Sequence, residues 1–429
     1  MHDRRTEVLV VGAGPVGLWT ALSLAKAGIE IVIVDRETRT AARSYACALH
    51  PRTLKLLEGA GLSDAVLSLG HKVAKVVFYD GRDRRAEIKI DGQGTGFPFL
   101  LILPQSELEK ILEQKLKQAG INVHWNQRFD NLVEQEDEVT AAIEELGGTA
   151  TGYIIPHWEM VVKARAQVRS QFLFGADGHG SLVRQRLGIE FVRAGETERF
   201  AAYEFESAEP APDEIRIVLD GETTSVLWPL DENHCRWTFQ LKEGVAEFPE
   251  KERRAVHLDQ PIIDERIRQF VQKEAQKRAP WFSGEVKRVT WCSEVAFERR
   301  LAQPFGRNRC WLGGDAAHQT GPAGVQSMNS GFLEGADFSA ALVRVLRGNA
   351  GLDEFEGYGR HWENEWGQLL GLTGQIKPGS RTVPWVATQA RRLWPCLPAL
   401  GNDLAGLTDQ LGLVWERVSA KKQVLSGTK

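Results

Sequence analysis

Three glycines near the N-terminus have the spacing of a turn that binds a dinucleotide: Gly12, Gly14 and Gly17. Gly12 permits the tight turn, Gly14 lets the backbone approach a pyrophosphate, and Gly17 lets the next helix pack against the strand. Asp35 ends the following apolar segment, at the position where an acid binds a ribose diol. These four residues together indicate chemistry on a bound nucleotide.

The surroundings of this turn strengthen that interpretation. Residues 6–35 have the pattern of a strand, the glycine turn over 12–17, a helix over 18–28, and a second strand that ends at Asp35 and Arg36. The free N–H groups and the positive dipole end of that helix suit an anion. A tight turn without a nucleotide is the alternative, and the motif does not distinguish NAD from FAD.

Two further motifs join glycines to an aspartate at the end of a strand. Residues 172–184 run from an apolar segment into Asp177, although this pattern taken alone is equally typical of a simple turn. Asp315 ends another apolar segment, and a loop with Pro322 and Gly324 then leads into a helix. An acid there suits a ligand hydroxyl, and the helix N-terminus suits an electron-rich group.

The composition excludes several classes of protein. The chain has 429 residues, 42% hydrophobic and 26% charged, which is typical of globular proteins rather than of disordered, fibrous or membrane chains. At roughly 150 residues per domain, this length predicts about two to three domains. Because 53 basic residues nearly balance 57 acidic ones, the basic surface of a nucleic-acid-binding protein is not expected.

The cysteines and the N-terminal segment indicate a cytoplasmic protein. Five scattered cysteines without metal-ligand spacing suggest reduced structural thiols and no metal site. The apolar run after Arg4 and Arg5 resembles a signal peptide, but Gly12, Gly14 and Pro15 interrupt it. We therefore expect neither a targeting segment nor a membrane span.

The rest of the chain alternates between strands and helices. We predict a helix over 51–60, strands over 73–103, a helix over 104–120, a strand and a β-meander over 121–174, strands with one charged helix near 262–277 over 190–300, a buried strand over 309–315, a long helix from Gln326, and further helices over 352–429. Ser106 and Glu109 have the spacing of a capping box. Strands from distant parts of the chain are expected in one sheet, which implies interleaved domains.

Taken in this order, the three motifs resemble those of the FAD-dependent aromatic hydroxylases, the group A flavoprotein monooxygenases of the p-hydroxybenzoate hydroxylase type, over residues 6–348. The resemblance implies an α/β fold in which a Rossmann-like FAD-binding domain is interleaved with a β-sheet substrate domain and followed by a helical C-terminal region. The expected boundaries are 1–75, 101–185 and 286–350 for the FAD-binding domain, 76–100 and 186–285 for the substrate domain, and 351–429 for the C-terminal region.

The resemblance also assigns residues to the cofactor. Those at the ADP half are Gly12, Gly14, Pro15, Val16, Gly17, Asp35 and Arg36. By the same resemblance, Asp177 lies in a motif that serves both FAD and NAD(P)H, and Asp315 matches the residue that binds the ribityl chain. Beside the isoalloxazine ring we expect Pro322, Gly324 and Val325, while Met328 and Asn329 offer backbone N–H groups to its pyrimidine edge. Two further residues, Gln105 and Arg43, match flavin-contacting residues of the family.

Two departures from the family pattern fall in the flavin loop. Val325 and Ser327 stand where the family commonly has glycine, so we expect a tighter or altered backbone path there. The nucleotide acid is Asp35 where glutamate is usual, which is one methylene shorter.

The function implied by the resemblance is hydroxylation of an aromatic or polyketide-like substrate with NAD(P)H and O2, through a flavin C4a-hydroperoxide. Baeyer–Villiger insertion, epoxidation and flavin reduction are alternatives on the same fold, and a FAD-binding redox sensor is an alternative from another class. Since the chain has one strand–glycine turn–helix unit, NAD(P)H is expected to bind transiently as a co-substrate. The expected partners are a small aromatic or polycyclic substrate and O2, with no nucleic acid; the choice between NADPH and NADH stays open, as does the oligomeric state.

Candidate pocket residues lie on two mid-chain strands. Trp228, Trp237, His234 and Arg236 are the candidates, and a core position or a solvated strand edge is the alternative for each. The sequence shows no evident nucleophile, metal site or acid–base triad, so the reactive oxygen must come from the flavin.

Overall fold

The computed structural model describes residues 3–41, 46–92, 94–151, 157–242 and 265–417. The strands among these residues are β1 Arg4–Val11, β2 Ile31–Val34, β3 Ala48–Leu49, β4 His71–Val73, β5 Lys75–Asp80, β6 Asp83–Lys89, β7 Leu100–Ile102, β8 Gln127–Glu134, β9 Val139–Thr151, β10 His157–Gly175, β11 Glu190–Arg193, β12 Glu198–Ser207, β13 Ile215–Asp220, β14 Thr223–Pro229, β15 His234–Leu241, β16 Val286–Phe297, β17 Arg300–Gln303, β18 Gly306–Arg307, β19 Cys310–Leu312, β20 His318–Gln319, β21 Gly374–Pro378 and β22 Leu413–Arg417. The helices are α1 Pro15–Lys26, α2 Pro51–Gly59, α3 Ser63–Leu69, α4 Gln105–Gln118, α5 Leu182–Arg186, α6 Glu265–Arg278, α7 Gln326–Gly348, α8 Asp353–Leu369, α9 Pro384–Leu393 and α10 Gly401–Gln410.

The first sheet has the order β18-β19-β10-β1-β2, with β8 and β9 added as an antiparallel extension beside β10. Strand β1 pairs in parallel with both β10 and β2, and β10 pairs in parallel with β19. Val8, Leu9 and Val10 are fully buried, as expected of a parallel strand that is covered on both faces. Strands from the start, middle and end of the described chain thus form one sheet, which confirms the predicted interleaving.

The second sheet has the order β16-β12-β15-β14-β13-β5-β6. The sequence placed residues 286–297 in the FAD-binding domain, and the structure corrects this assignment. These residues form β16, which pairs antiparallel with β12 over almost its whole length. The pairing partner decides the sheet to which a strand belongs, and the partner of β16 is β12.

Alternate residues of β15 face opposite sides of the second sheet. Cys235, Trp237 and Phe239 share one face and belong to a core that also contains Val271 of α6. The other face turns toward the first sheet, because Trp228 of the neighbouring β14 belongs to the larger core that the two sheets share. The second sheet therefore separates its own hydrophobic core from the FAD-binding side.

The C-terminal region contains helices α8 to α10, as predicted, and in addition the two-stranded pair β21 and β22. Trp394 stacks on Trp415 of that pair at a centroid distance of 5.0 Å, and the Trp366 side chain is 1% exposed. The tryptophans of this region therefore build its core. No helix in the described ranges is long and apolar enough to cross a membrane.

Candidate functional site

The glycine turn between β1 and α1 adopts the close-packed geometry that its sequence predicts. Gly12 has a φ of +104°, and a Cβ atom there would lie 2.2 Å from the carbonyl oxygen of Ala176. A Cβ atom on Gly17 would lie 1.9 Å from the carbonyl oxygen of Gly12. Gly14 differs, because nothing lies within 4 Å of its Cβ position. Two glycines therefore close the turn, and the third leaves open space.

Asp35 reaches back to this turn from the end of β2. Its Oδ2 accepts a hydrogen bond from the backbone N–H of Ala13 at 2.5 Å, and its Oδ1 accepts from the N–H of Glu37 at 2.8 Å. The neighbouring Arg36 is exposed and pairs with the Glu37 side chain at 3.4 Å. The acid, rather than the arginine, thus lies at the turn.

A cavity of about 1400 Å³ opens beside the turn. The predicted cofactor residues that line it are Gly14, Asp35, Gln105, Asp315, Pro322, Val325 and Met328. Sites for one drug-sized ligand are typically about 300–1,000 Å³. The cavity is therefore large enough for a cofactor and a second molecule together.

Asp315 lies on the wall of this cavity, in the turn that follows β19. Gly314 adopts a φ of +60° there and packs against Val16 of α1, so the next residue projects into the open space. Among the described residues, no group donates a hydrogen bond to the Asp315 carboxylate, and partial desolvation by the surrounding cavity walls raises the pKa of this carboxyl. A carboxylate in this position suits the hydroxyl groups of a ligand.

A buried network behind Asp315 fixes this turn. The fully buried Glu334 of α7 accepts hydrogen bonds from the Gly314 N–H at 2.8 Å and from the Trp366 Nε1 at 3.0 Å. His318 Nε2 lies 2.7 Å from Glu334 Oε1, without the alignment of a hydrogen bond, and the ring stacks on Trp366 at 3.7 Å. His318 thus has a structural position in this network, and no local sequence pattern marks Glu334.

The loop before α7 forms the far wall of the cavity. Val325 has a φ of +49° and a ψ of +39°, so it keeps the left-handed conformation that glycine favours. Asn329 holds this conformation, because its Nδ2 donates to the Val325 carbonyl at 2.8 Å and its Oδ1 accepts from the His50 N–H at 2.8 Å. Val325 thus adopts a conformation typical of glycine at a position where the family commonly has glycine.

His50 is a site residue that the sequence did not indicate. Its Nε2 lies 3.0 Å from the Gly324 carbonyl oxygen, in the loop that lines the cavity. Burial lowers the pKa of His50 to about 4, so the ring is neutral and carries the donating proton on Nε2. The ring and the Asn329 side chain together lock the loop against the start of α2.

Gln105 and Glu109 lie on the opposite wall. The predicted capping box does not form, because α4 begins at Gln105 and has no side-chain cap. Glu109 instead accepts hydrogen bonds from Gln105 Nε2 and from the Ala41 N–H, each at 2.7 Å. Burial raises the pKa of Glu109 to about 7. Arg43 lies outside the described residues.

Asp177 does not line the cavity. Its Oδ1 accepts from the Ser181 hydroxyl at 2.5 Å and its Oδ2 accepts from the Val183 N–H at 3.1 Å, so it organises the turn before α5. Arg184 of the same helix does reach the cavity wall and donates to the carbonyl oxygen of Ala316 at 2.7 Å. Asp177 thus fixes the turn before α5, and Arg184 of that helix contacts the residue that follows Asp315.

None of the four candidate pocket residues lines the cavity. Trp237 is fully buried in the core beneath α6, and His234 pairs with Asp231 at the exposed start of β15. Trp228 and Arg236 face the FAD-binding side but are only 3% and 2% exposed. The residues of the second sheet that line the cavity belong to β16, and they are Trp291, Ser293, Val295, Ala296 and Phe297.

Three comparisons place this geometry among known proteins. A family model described as an FAD binding domain matches residues 5–364. The 6-methylpretetramide 4-monooxygenase of Streptomyces rimosus is 29% identical over 376 residues, which cover 86% of this chain and 61% of that protein. The para-nitrophenol 4-monooxygenase of Pseudomonas sp. (strain WBC-3) is 26% identical over 360 residues, covering 81% of each chain.

The fold comparison agrees with the sequence comparison. The crystal structure of p-nitrophenol 4-monooxygenase from Pseudomonas putida DLL-E4 superposes with a TM-score of 0.71 at 20% identity, covering 95% of this chain and 94% of that one. The two chains therefore share a fold. Our chain spans about three fifths of the length of the Streptomyces rimosus relative, at 61%.

Proposed function

Because the chain belongs to the FAD-binding domain family whose model matches residues 5–364, we propose that it is an NAD(P)H-dependent flavoprotein monooxygenase that hydroxylates an aromatic or polyketide-like substrate. One observation carries the proposal. The same cavity joins the nucleotide turn at Gly14 to an aromatic wall on the second sheet, formed by Trp291 and Phe297. A cofactor and an aromatic ring can thus meet inside the protein. The relatives named above are called a 6-methylpretetramide 4-monooxygenase and a para-nitrophenol 4-monooxygenase, which supports the same reaction type.

FAD fits the residues that are present. Gly14 offers the open approach that a pyrophosphate needs, Asp35 stands where a ribose diol would bind, and Asp315 presents a carboxylate that has no protein donor in the described chain. When bound, FAD supplies the redox chemistry, by accepting hydride from NAD(P)H and activating O2. The remaining work of the protein is to hold the cofactor, place the substrate and keep water away.

The loop before α7 has the first of these tasks. The positive end of α7 faces the cavity at Gln326, Ser327 and Met328, so it stabilises negative charge there. His50 and Asn329 keep this loop in one conformation, which preserves the direction of the helix N–H groups. Such preorganised dipoles act without a reorganisation step.

The last of these tasks is the exclusion of water from the reacting ring. Val295 and Phe297 present apolar surface to the cavity beside the polar cofactor wall. A dry chamber prevents the loss of the activated oxygen as hydrogen peroxide. We infer that NAD(P)H enters only for the reduction step, because the described chain contains one glycine turn of the dinucleotide type.

The domain boundaries follow the two sheets. We propose that residues 1–75, 101–185 and 298–350 form the FAD-binding domain, and that 286–297 belong to the substrate domain because β16 completes its sheet. A cytoplasmic location is consistent with five buried cysteines that form no disulfide bond in the described chain.

Spectroscopy and kinetics test the proposal together. The purified protein should be yellow and should release FAD, and not FMN, on denaturation. Addition of an aromatic substrate should accelerate NAD(P)H oxidation and lower the hydrogen peroxide formed per turnover. A protein that cannot take up FAD, or whose NAD(P)H oxidation yields only peroxide with every ring tested, would contradict the proposed function.

A further inference from the structure

The side chain of Gln326 connects the loop before α7 to the C-terminal region. Gln326 is fully buried, and its Nε2 donates hydrogen bonds to the carbonyl oxygens of Leu397 at 2.8 Å and Pro395 at 3.3 Å. Because both partners are acceptors, the amide can only present its donor side to them. A Cβ atom on Gly324 would lie 2.3 Å from this Nε2, so the glycine leaves the room that the amide occupies. The two carbonyls lie beyond residues 5–364, which the family model matches.

The helix that precedes these carbonyls is bonded to the second sheet. At the end of α9, Arg392 donates to the carbonyl oxygens of Gly221 at 2.6 Å and Thr223 at 2.5 Å, at the turn between β13 and β14. At the start of α9, Trp385 Nε1 donates to Asp80 Oδ2 at 3.1 Å, at the end of β5. Helix α9 is thus held on the second sheet at both ends, and the chain then passes directly to the carbonyls that bind the amide.

The loop before α7 needs anchors because of Val325. Its φ of +49° lies in the left-handed region, which is sterically unfavourable for a β-branched side chain. His50, at the start of α2, bonds the Gly324 carbonyl, and Asn329 of α7 bonds the Val325 carbonyl. Gln326 adds the anchor to the C-terminal region. Without this third anchor, part of the loop population should relax toward a conformation that valine prefers.

We propose that Gln326 is a positioning residue for FAD, and that residues 384–397 form a strut that fixes the loop before α7 against the second sheet. The inference rests on the proposed function, because it concerns the cofactor of that site. The N-terminal end of α7 lines the cavity at Gln326, Ser327 and Met328, and the direction of its N–H groups follows the conformation of the loop. Gln326 acts through this loop, since its amide is engaged with the strut. FAD then binds to a loop that is already in place, which lowers the cost of binding.

FAD titration of the apoprotein tests the inference without turnover. Gln326→Met keeps the approximate volume of the side chain and removes both hydrogen bonds. It should raise the Kd for FAD by about 5- to 30-fold, which is the steric cost of a left-handed L-residue expressed as a ratio. Val325→Gly removes that cost, so Gln326→Met should raise the Kd by less than about 2-fold in the Val325→Gly background. A merely structural role of Gln326 would lower the Tm, and its effect would not depend on Val325.

The other end of the strut gives an independent test. Trp385→Phe together with Arg392→Met removes the side-chain bonds of α9 to the second sheet and should raise the Kd for FAD by about 5-fold or more. In the Gln326→Met background the same pair should add less than about 2-fold, because a strut with one free end no longer positions the loop. Arg391→Met removes an exposed charge next to Arg392 and should leave the Kd unchanged.

The results distinguish this inference from the proposed function. Native FAD affinity in Gln326→Met, equal weakening with valine and with glycine at position 325, or effects of the two ends that multiply would overturn the inference while FAD binding by the wild type stands. If Gln326→Met does not fold, the variant with both Trp385→Phe and Arg392→Met decides, and a native Kd in that variant overturns the inference. If the wild-type protein takes up no FAD, the inference and the proposed function both fail.

Discussion

Replacing Gly14 and Gly17 in turn by alanine should produce opposite defects, because the two Cβ positions differ. On Gly17 the added carbon would lie 1.9 Å from the Gly12 carbonyl oxygen, whereas on Gly14 it would meet nothing within 4 Å. Gly14→Ala should therefore spare the fold and impair FAD binding. Gly17→Ala should impair the fold itself.

The size of the Gly17→Ala effect follows from two opposing terms. Alanine gains about 1 kcal/mol over glycine inside a helix such as α1. Overpacking costs about 1–3 kcal/mol, and a contact between two backbone segments belongs at the upper end of that range. The net loss is about 2 kcal/mol, which lowers the Tm of a domain of 150–250 residues by roughly 4–8 °C.

The Gly14→Ala effect appears only with the cofactor. Gly14 is the N-cap of α1 with a φ of −72°, which alanine adopts readily, so the Tm of the FAD-free protein should fall by less than about 3 °C. A methyl group in the path of the pyrophosphate should weaken FAD binding by about 1–3 kcal/mol, or roughly 5- to 150-fold. Thermal unfolding of both apoproteins and FAD titrations measure the two effects. Native FAD affinity in Gly14→Ala, or a native Tm in Gly17→Ala, would refute the reasoning.

Three further predictions concern other parts of the site. Asp315→Ala removes an acceptor for a buried ligand hydroxyl and should weaken FAD binding by about 1–3 kcal/mol, roughly 5- to 150-fold, in an equilibrium titration; unchanged affinity would exclude this role. The pKa of His50 in the folded protein, about 4, lies below its value in the unfolded chain, so on acidification the unfolded chain takes up a proton on this ring before the folded protein does. The stability of the protein should therefore decrease as the pH falls from about 6.5 to 4. His50→Gln should flatten this slope in Tm measurements. The raised pKa of Glu109, about 7, has the opposite sign: stability should decrease as the pH rises from about 4.5 through 7, and Glu109→Gln should remove that part of the pH profile.

Much of the fold was predictable because its signals are local. The glycine turn, the buried parallel strands and the helix from Gln326 each carry their pattern within a few residues. The assignment of β16 failed because the sheet to which a strand belongs is decided by its pairing partner, here β12. The capping box failed for a similar reason, since Glu109 bonds Ala41 from another segment.

The site was predictable to the extent that its residues belong to motifs. Asp35, Asp315 and the α7 loop reach one cavity, as their positions at strand ends imply. His50 and Glu334 escaped notice because their partners are distant in sequence or lie in another helix, so no spacing reveals them. Trp291, Ser293 and Val295 are spaced two residues apart along β16, and this spacing could have predicted that they share the face that lines the cavity.

The most direct test of the monooxygenase assignment follows the oxygen atom. The FAD-loaded protein is supplied with NAD(P)H, a substrate ring that accelerates its oxidation, and ¹⁸O2, and the product is examined by mass spectrometry. A monooxygenase should form a hydroxylated ring that carries one ¹⁸O atom, in proportion to the NAD(P)H consumed. A product whose new oxygen comes from water, or NAD(P)H oxidation that yields hydrogen peroxide and an unchanged ring, would contradict the assignment.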